Sequence, residues 1–278
     1  MMRSLYSAIS GLKNHQIKMD VIGNNIANVN TTGFKRSRVT FSTMLSQTLK
    51  GASAPITTTP IVGGTNPMQV GLGASLGSID QIMTQGSSQS TGNPTDMMLQ
   101  GPGFFVLTTN GTDRVYSRSG AFSLDANGNL VDPASGAQVL DSSSTSTTAT
   151  PIKITPDTYS SYTVDKTGTI TGVPMAGGAT VTIGQVQIAT FPNDAGLTSL
   201  GGSFYQESNN SGAASTGTAG DATHAGTTIV SNAVEMSNVD LSTEFTDMIT
   251  AQRGFQANSR VITVSDTLLQ ELIDLKRN

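Results

Sequence analysis

Few residues of this 278-residue chain belong to types that catalyse reactions or bind metals. The two histidines, His15 and His224, are far apart, and His15 lies beside an apolar helical stripe, where packing or a partner contact is the expected role. The stretch 125–129 starts like a calcium loop but lacks the later glycine and glutamate, so we interpret it as a β-turn. The glycines at 101 and 103 precede no predicted helix, so they form no phosphate-binding loop.

Cysteine is absent from the chain, which excludes disulfides, thiolate catalysis and cysteine-based metal sites. No nucleophile elbow, in which a serine lies on a sharp strand-to-helix turn, is predicted either. We therefore predict that the chain is not an enzyme and that it uses no cofactor and no metal.

The charge composition argues against nucleic acids and membranes as partners. Charged residues make up 12 % of the chain and the net charge is −4, so no basic surface attracts phosphates. The basic run of Lys35, Arg36 and Arg38 is a local exception, interpreted as a solvated surface segment or a partner contact. Because no apolar stretch reaches about 20 residues, we predict no membrane insertion, and we expect any export to proceed without a cleaved signal peptide.

An amphipathic helix is predicted from Ser4 to about Asn28, with Ser4 as a plausible N-cap and Asn28, Asn30 and Gly33 as a plausible stop. Apolar residues recur every seven positions and are widened by two isoleucines, which is helical periodicity. Nothing nearby in the sequence covers this stripe, so we predict that it is an assembly interface. Its members are Leu5, Ile9, Leu12, Met19, Ile22 and Ile26.

A second helix is predicted from near Asp240, which has the side chain of an N-cap residue, to the end of the chain. Its apolar residues occupy about half of its circumference, which is broader than the seam between two helices, so more than one neighbour is expected. The predicted interface residues on this arc are Phe255, Val261, Ile262, Leu268, Leu269, Leu272 and Ile273. The opposite face carries a polar, nearly uncharged stripe that includes Gln252, Gln256, Ser259, Thr263 and Gln270.

The middle of the chain shows short strand patterns separated by turn signals, which predict an all-β sandwich or barrel-like domain. Examples are Phe104–Thr109 and Arg114–Arg118, joined through Asn110 and Gly111. Two tracts poor in apolar residues, 142–150 and 208–226, are interpreted as exposed loops. The predicted fold is α+β, divided into the N-terminal helix and turn (1–41), an extended linker (42–77), a central β domain (78–231) and the C-terminal helix (232–278).

Three sequence segments resemble the terminal signatures of the flagellar rod and hook protein family. They are NNIANVNTTGFKR at 24–36, EMSNVDL at 235–241 and AQRGFQANS at 251–259. Between them, Gln85–Gly86, Thr91–Gly92, Asp96 and the segment 101–105 resemble the motif with which that family enters its β domain.

Within this family, Met236, Gly254 and Phe255 resemble the hook type more than the distal rod type, and the compact middle would make the chain a short form of hook protein. The resemblance implies a structural subunit that builds a flexible hollow tube and transmits torque from rod to filament. A distal rod subunit of the basal body is the alternative within the family. A secreted binding module with helical oligomerisation ends is the alternative from another class.

The resemblance also implies how the parts assemble and with what. The terminal helices would form a coaxial coiled-coil-like pair in the inner wall of the tube, and the polar stripe would line its export channel. The implied partners are further copies of the chain, the distal rod and hook–filament junction proteins at the tube ends, and the hook cap and type III export apparatus during assembly. The implied location is the extracellular hook or basal body of a bacterial flagellum.

Overall fold

The structure is a computed structural model that describes residues 2–55, 63–144, 148–155, 158–175 and 178–277. Pro60 of the predicted linker and positions 145–147 of the first predicted loop lie outside the described residues. The chain forms two compact units. The helical unit comprises Met1–Ile26, Ser37–Asp80 and Asp240–Asn278, and the β unit comprises Ala27–Arg36 and Gln81–Val239.

The helical unit contains the two long helices, α1 (Met2–Ala27) and α2 (Leu241–Arg277). Helix α1 begins before Ser4, so the prediction of Ser4 as its N-cap is wrong, whereas its end at Ala27 agrees with the predicted stop. Helix α2 begins as predicted, because Oδ1 of Asp240 accepts a hydrogen bond of 3.0 Å from the amide of Ser242. This bond satisfies one of the amides left unpaired at a helix start.

Within the described residues, neither helix has a stretch long and apolar enough to cross a membrane.

The rest of the helical unit consists of short antiparallel ribbons. Strand β1 pairs with β4, and β2 pairs with β3. Their bounds are β1 (Ser37–Thr43), β2 (Ser46–Lys50), β3 (Met68–Gly71) and β4 (Ala74–Gln81). The segment 42–77, expected from its sequence to be extended, thus contributes paired strands whose side chains are largely exposed.

The β unit is built from short strands, which follow in chain order. They are β5 (Ser88–Ser90), β6 (Met97–Gln100), β7 (Phe104–Thr108), β8 (Arg114–Ser117), β9 (Ser123–Leu124), β10 (Leu130–Val131), β11 (Gln138–Val139), β12 (Tyr159–Val164), β13 (Thr169–Pro174), β14 (Val181–Gln185), β15 (Ile188–Thr190), β16 (Thr198–Gly201), β17 (Phe204–Gln206), β18 (Ser215–Gly217), β19 (Thr228–Ser231) and β20 (Ala233–Glu235).

The main sheet of the β unit has the order β16-β17-β8-β7-β11-β10-β9, and β15 pairs with both β7 and β18. Strands β12, β13 and β14 form a separate sheet, while β6 pairs with β19 and β5 with β20. The predicted hairpin of β7 and β8 is confirmed, with Val106 opposite Tyr116. The two helices and the mostly β middle agree with the predicted α+β class.

The interpretation of residues 208–226 as an exposed loop is wrong. Strand β18 lies within this tract and pairs with β15, and Ser211, Ala219 and His224 are buried. A low apolar content did not prevent burial, because Ser211 and His224 are hydrogen-bonded through their side chains, Ser211 to the backbone oxygen of Ser208 and His224 to that of Ser215.

Strand β7 organises the core of the β unit because both of its faces are buried. Phe105 and Leu107 join one apolar cluster, while Phe104 and Val106 join another. The ring of Phe104 meets that of Phe191 edge to face with centroids 5.8 Å apart. A continuous apolar run on a central strand therefore supplies two cores, as the alternation of side chains along a strand requires.

Candidate assembly surface

Helices α1 and α2 contact each other through polar side chains. Nζ of Lys18 lies 3.1 Å from Oδ1 of Asp247, and Nδ2 of Asn25 donates to Oε2 of Glu244 at 3.2 Å. Contacts that involve lower numbers in α1 involve higher numbers in α2, so the two helices run antiparallel.

Glycines allow close approach at two further points of this helix pair. A Cβ atom at Gly11 would lie 2.6 Å from Nδ2 of Asn258, and one at Gly254 would lie 2.4 Å from the His15 ring. Real Cβ atoms do not approach other atoms this closely, so a larger residue at either position would force the side chain of Asn258 or His15 to move. His15 thus packs against α2, as its place beside the apolar stripe predicts.

The same register leaves the end of α2 without a partner on α1. Gly11 lies opposite Asn258, and both helices rise by the same distance per residue. Because they are antiparallel, the start of α1 lies opposite about position 267 of α2. The last turns of α2 extend beyond this point. Leu272 and Leu275 there are 49 % and 73 % exposed.

The apolar residues predicted as an assembly interface differ in how much surface they offer. Ile22 is buried and has little surface left for a neighbour. The half-buried members are Leu5, Leu12, Met19, Ile26, Phe255, Ile262 and Leu269. The exposed members are Ile9, Val261, Leu268, Leu272 and Ile273. Exposed apolar residues on one pair of helices indicate a surface that a further protein covers.

The polar stripe predicted on α2 lies on solvent-accessible surface. Gln252, Gln256, Thr263 and Gln270 are exposed, and Ser259 is half-buried. Gln270 donates to Oδ2 of Asp266 at 3.3 Å along the same helix. These side chains do not form part of the contact with α1.

The β unit contains a buried ion cluster of Lys35, Arg118 and Glu235. Nζ of Lys35 lies 2.6 Å from Oε1 of Glu235, and Nε of Arg118 lies 2.7 Å from Oε2. The amide of Gly86 donates to Oε1 as well, at 2.8 Å. Both cations also donate to backbone carbonyls, Lys35 to that of Thr84 at 2.8 Å and Arg118 to that of Gly101 at 2.6 Å. Every member of the cluster is thus hydrogen-bonded, as a buried charge requires.

Burial and charge act against each other on the pKa values of this cluster. Burial lowers the pKa of Lys35, and the attraction of Glu235 does not restore it to its ordinary value. Burial acts to raise the pKa of Glu235, but the opposing effect of Arg118 and Lys35 is larger in total, so the pKa lies below its ordinary value. Glu235 therefore stays ionised as the counter-charge of two cations.

Backbone bonds around the buried ion cluster connect the motif segments within the β unit. The amide of Gly33 donates to the backbone oxygen of Glu235 at 2.8 Å. The amide of Arg36 donates to Oδ1 of Asn238 at 2.8 Å, and Nδ2 of Asn238 donates to the oxygen of Ile82 at 2.7 Å. The sequence segments around positions 35, 85 and 235 thus form one structural element.

The interpretation of Lys35 as part of a solvated basic run is wrong, because its side chain is 1 % exposed. Arg38 fits that interpretation, since its side chain is 63 % exposed and lies 3.7 Å from Asp80. Sequence reasoning placed Arg118 in a strand pattern and Glu235 in a family signature, but it predicted no buried ion pair for either residue. The available signal was that Glu235 stands in an otherwise uncharged strand pattern, where a charge has to be paired.

Three family models match the chain at places that correspond to these elements. "Flagella basal body rod protein" matches residues 5–35, "Flagellar hook protein FlgE/F/G D1 domain" matches 98–172, and "Flagellar basal body rod FlgEFG protein C-terminal" matches 230–275. These matches cover α1, a large part of the β unit, and α2.

Individual relatives include both rod and hook proteins. The flagellar basal-body rod protein FlgG of Bacillus subtilis is 50 % identical over 278 residues, covering 100 % of both chains. That of Agrobacterium fabrum is 36 % identical over 269 residues, covering 96 % of this chain and 97 % of the relative. The flagellar hook protein FlgE of Borreliella burgdorferi is 30 % identical over 448 aligned positions, covering 99 % of this chain and 100 % of the relative.

The family models and the full-length relatives define a structural protein of the bacterial flagellum. The chain belongs to the flagellar rod and hook protein family. The resemblance inferred from the terminal signatures is therefore confirmed. The relatives are structural flagellar proteins and not enzymes.

Proposed function

We propose that the chain is a subunit of the flagellar distal rod, which assembles with further copies of itself into a hollow helical tube. The observation that carries this proposal is the alignment with the Bacillus subtilis rod protein, which spans 100 % of both chains at 50 % identity. The alignment with the Borreliella burgdorferi hook protein needs 448 positions against 278 residues here. This chain therefore has no counterpart for a large part of that hook protein.

The contact of His15 with Gly254 weakens one of the three residue observations that favour the hook type. A Cβ atom at position 254 would approach the His15 ring to 2.4 Å, so glycine there makes room for the ring in its observed position. Its presence thus has a local steric cause in this chain and does not need to mark the type of subunit. Met236 and Phe255 still favour the hook type. The second candidate function is therefore a hook subunit, which forms a flexible joint that transmits torque.

The exposed apolar residues of α1 and α2 support assembly in either case. In the tube, the two helices form a coaxial coiled-coil-like pair within the inner wall. Neighbouring copies cover residues such as Ile9, Val261 and Leu272, which water reaches in the single chain. Burial of this surface provides the main driving force for assembly. A secreted binding module has no comparable support, because the relatives are structural flagellar proteins.

The polar stripe of Gln252, Gln256, Ser259, Thr263 and Gln270 lines the export channel in this proposal. A wall with amide and hydroxyl groups and few charges does not hold passing chains by ion pairing. A subunit map that places these side chains against protein, with the apolar arc towards the lumen, would contradict this part of the proposal.

The proposed location and partners follow from a position in the axial structure outside the cell membrane. The tube contacts other rod or hook components at its two ends, including the hook–filament junction protein in the hook case, and the hook cap and type III export apparatus act during its assembly. Along the sequence, the proposed order of parts is N-terminal helix, linker, β domain and C-terminal helix.

Deletion of the gene separates the two candidates. Basal bodies from the deletion strain, viewed by electron microscopy, should lack the distal rod. A complete rod that carries no hook would instead show that the chain is the hook subunit. Polymers of the purified chain provide a second test, because a rod subunit forms straight tubes, while curved or bending tubes favour the hook.

A further inference from the structure

Helix α2 carries a charged stripe that consists of Arg253, Arg260, Glu271 and Asp274. At 100° per residue these four positions lie within about 60° of one another around the helix axis. The residues that contact α1, such as Asp247, Gly254 and Asn258, lie about 150° away from the centre of the stripe. The charged stripe therefore faces away from α1.

The four side chains of the charged stripe are exposed. Within the described part of the chain no ion-pair partner lies within 4 Å of them, whereas Asp247 on the other side of α2 is paired with Lys18. Their charges thus remain available to a neighbour. Exposed Val264, Leu268 and Leu275 lie beside the stripe and add apolar surface.

The order of charges along the stripe is asymmetric, since both arginines precede both carboxylates. Arg253 and Glu271 are 18 residues apart and Arg260 and Asp274 are 14 apart, which corresponds to about 27 and 21 Å along a helix. Two parallel copies of α2 without displacement would place arginine opposite arginine. The same two copies displaced by about 21–27 Å would place arginines opposite carboxylates.

We propose that the charged stripe is a contact between parallel α2 helices of successive copies, displaced by about 21–27 Å so that Arg253 and Arg260 of one copy meet Glu271 and Asp274 of the next. This inference rests on the proposed function as a self-assembling tube and adds a register to it. The occupant is a second copy because the stripe is complementary to itself.

A displaced contact of this kind is heterologous and leaves one half of the stripe free on each terminal copy. Each copy thus uses one half of the stripe for one neighbour and the other half for the next, so the contact can repeat along a growing polymer. Exposed ion pairs each contribute little to affinity. We expect these ion pairs to determine the displacement between the two helices and the choice of partner, because like charges placed opposite each other are strongly unfavourable. The neighbouring apolar residues supply the buried area.

Two charge-reversed variants of the full chain test the proposal. R253E/R260E makes the stripe wholly acidic, and E271R/D274R makes it wholly basic. Each alone should polymerise only at a concentration at least tenfold above that of the wild type, measured by sedimentation at low salt. An equimolar mixture should polymerise at nearly the wild-type concentration, because acidic stripes then meet basic ones. The variant R3E/K13E changes the net charge as R253E/R260E does and should behave as the wild type.

Cross-linking gives a second measurement, which is simple because the chain contains no cysteine. In polymers of R253C/E271C, a short bismaleimide should join successive copies into long ladders, and R253C alone should give no cross-linked product. Cross-linked dimers from R253C alone would overturn the stripe contact, and so would R253E/R260E or E271R/D274R if either alone polymerised like the wild type. Neither result would contradict tube assembly. A wild-type chain that never polymerises would overturn the assembly proposal as well.

Discussion

The ammonium group of Lys35 lies 2.6 Å from a carboxylate oxygen of Glu235, a residue 200 positions later in the chain. Both side chains are removed from water, and Arg118 occupies the other oxygen of the same carboxylate. One acidic residue near the end of the β unit therefore balances two cations from its beginning and middle.

Glu235→Gln should strongly destabilise the β unit, because it leaves Lys35 and Arg118 buried without a counter-charge. We expect a loss of about 3–5 kcal/mol in the free energy of unfolding, measured by urea denaturation with the near-ultraviolet circular dichroism of tyrosine. Asp80→Asn is the matched control, since it removes a carboxylate from the exposed pair with Arg38, and it should cost less than about 1 kcal/mol. Equal losses for the two variants would contradict the role of the buried ion cluster.

Acid should destabilise the β unit through the same carboxylate. The pKa of Glu235 in the folded chain lies below its ordinary value, so between the two values the unfolded chain binds more protons. The stabilisation is complete above the ordinary pKa and is lost as the pH falls through the lowered one. Urea midpoints should therefore decrease as the pH falls below the ordinary pKa of a glutamate, about 4.3.

Two other carboxylates allow the sign of this pH effect to be checked. The pKa of Asp141 is lowered, since hydrogen bonds from Ser143, Gln185 and Ser142 outweigh the effect of burial, and Asp141→Asn should reduce the acid loss. Burial raises the pKa of Asp194, so Asp194→Asn should act in the opposite direction. The decrease of the urea midpoint in acid should be smaller in Glu235→Gln than in the wild type. An unchanged decrease in that variant would show that Glu235 is not the carboxylate responsible.

Gly86→Ala should disturb the pairing of β5 with β20. A Cβ atom at this position would lie 1.9 Å from the backbone oxygen of Met236, and a backbone atom cannot turn away as a flexible side chain can. We expect a loss of about 1–3 kcal/mol and faster hydrogen exchange of the amides in β20. Gly226→Ala is the control in the same unit, because nothing lies within 4 Å of the added atom. Similar exchange in both variants would refute this steric account.

Gly254→Ala should weaken the contact of α1 with α2, and His15→Ala should relieve much of this effect. The added methyl group collides with the His15 ring, so removal of the ring makes space and the two changes should be strongly non-additive. The measurement is the temperature at which polymers lose their helical circular dichroism. Gly23→Ala in α1, which meets nothing within 4 Å, should leave this temperature unchanged or raise it.

The ends of the chain should fold only on assembly. Much of the apolar surface of α2 has no cover in a single chain, and isolated helices are marginally stable in water. Trypsin should therefore cut at Lys13, Lys18, Arg253 and Arg260 in dilute monomers, leaving the β unit intact, and these sites should be protected in polymers. Resistant helices in dilute solution would contradict this expectation.

The helices and several strands could be predicted from the sequence because their signals are local. The heptad spacing of apolar residues places α1, and Asp240 marks the start of α2. Phe104–Thr109 was predicted as a strand, and Phe104–Thr108 forms β7. In each case a period or a cap within a few residues determines the local structure.

The buried ion cluster could not be predicted in the same way. Lys35 has the same local sequence signal as a solvated lysine, and only its approach to Glu235 gives it a buried partner. Strand β18 lies in a polar tract and exists because β15 provides its hydrogen-bonding partner. Ser4 has the chemistry of an N-cap, but α1 begins before it. Such features depend on long-range contacts, which residue patterns do not encode locally.

The hydrogen bond from Gly33 to Glu235 brings the entry and exit of the chain in the β unit to adjacent points. The residues that follow α1 and those that precede α2 are thus fastened to each other within the β unit. Residues added in a loop between positions 97 and 231 would lengthen the chain between these two points without separating them.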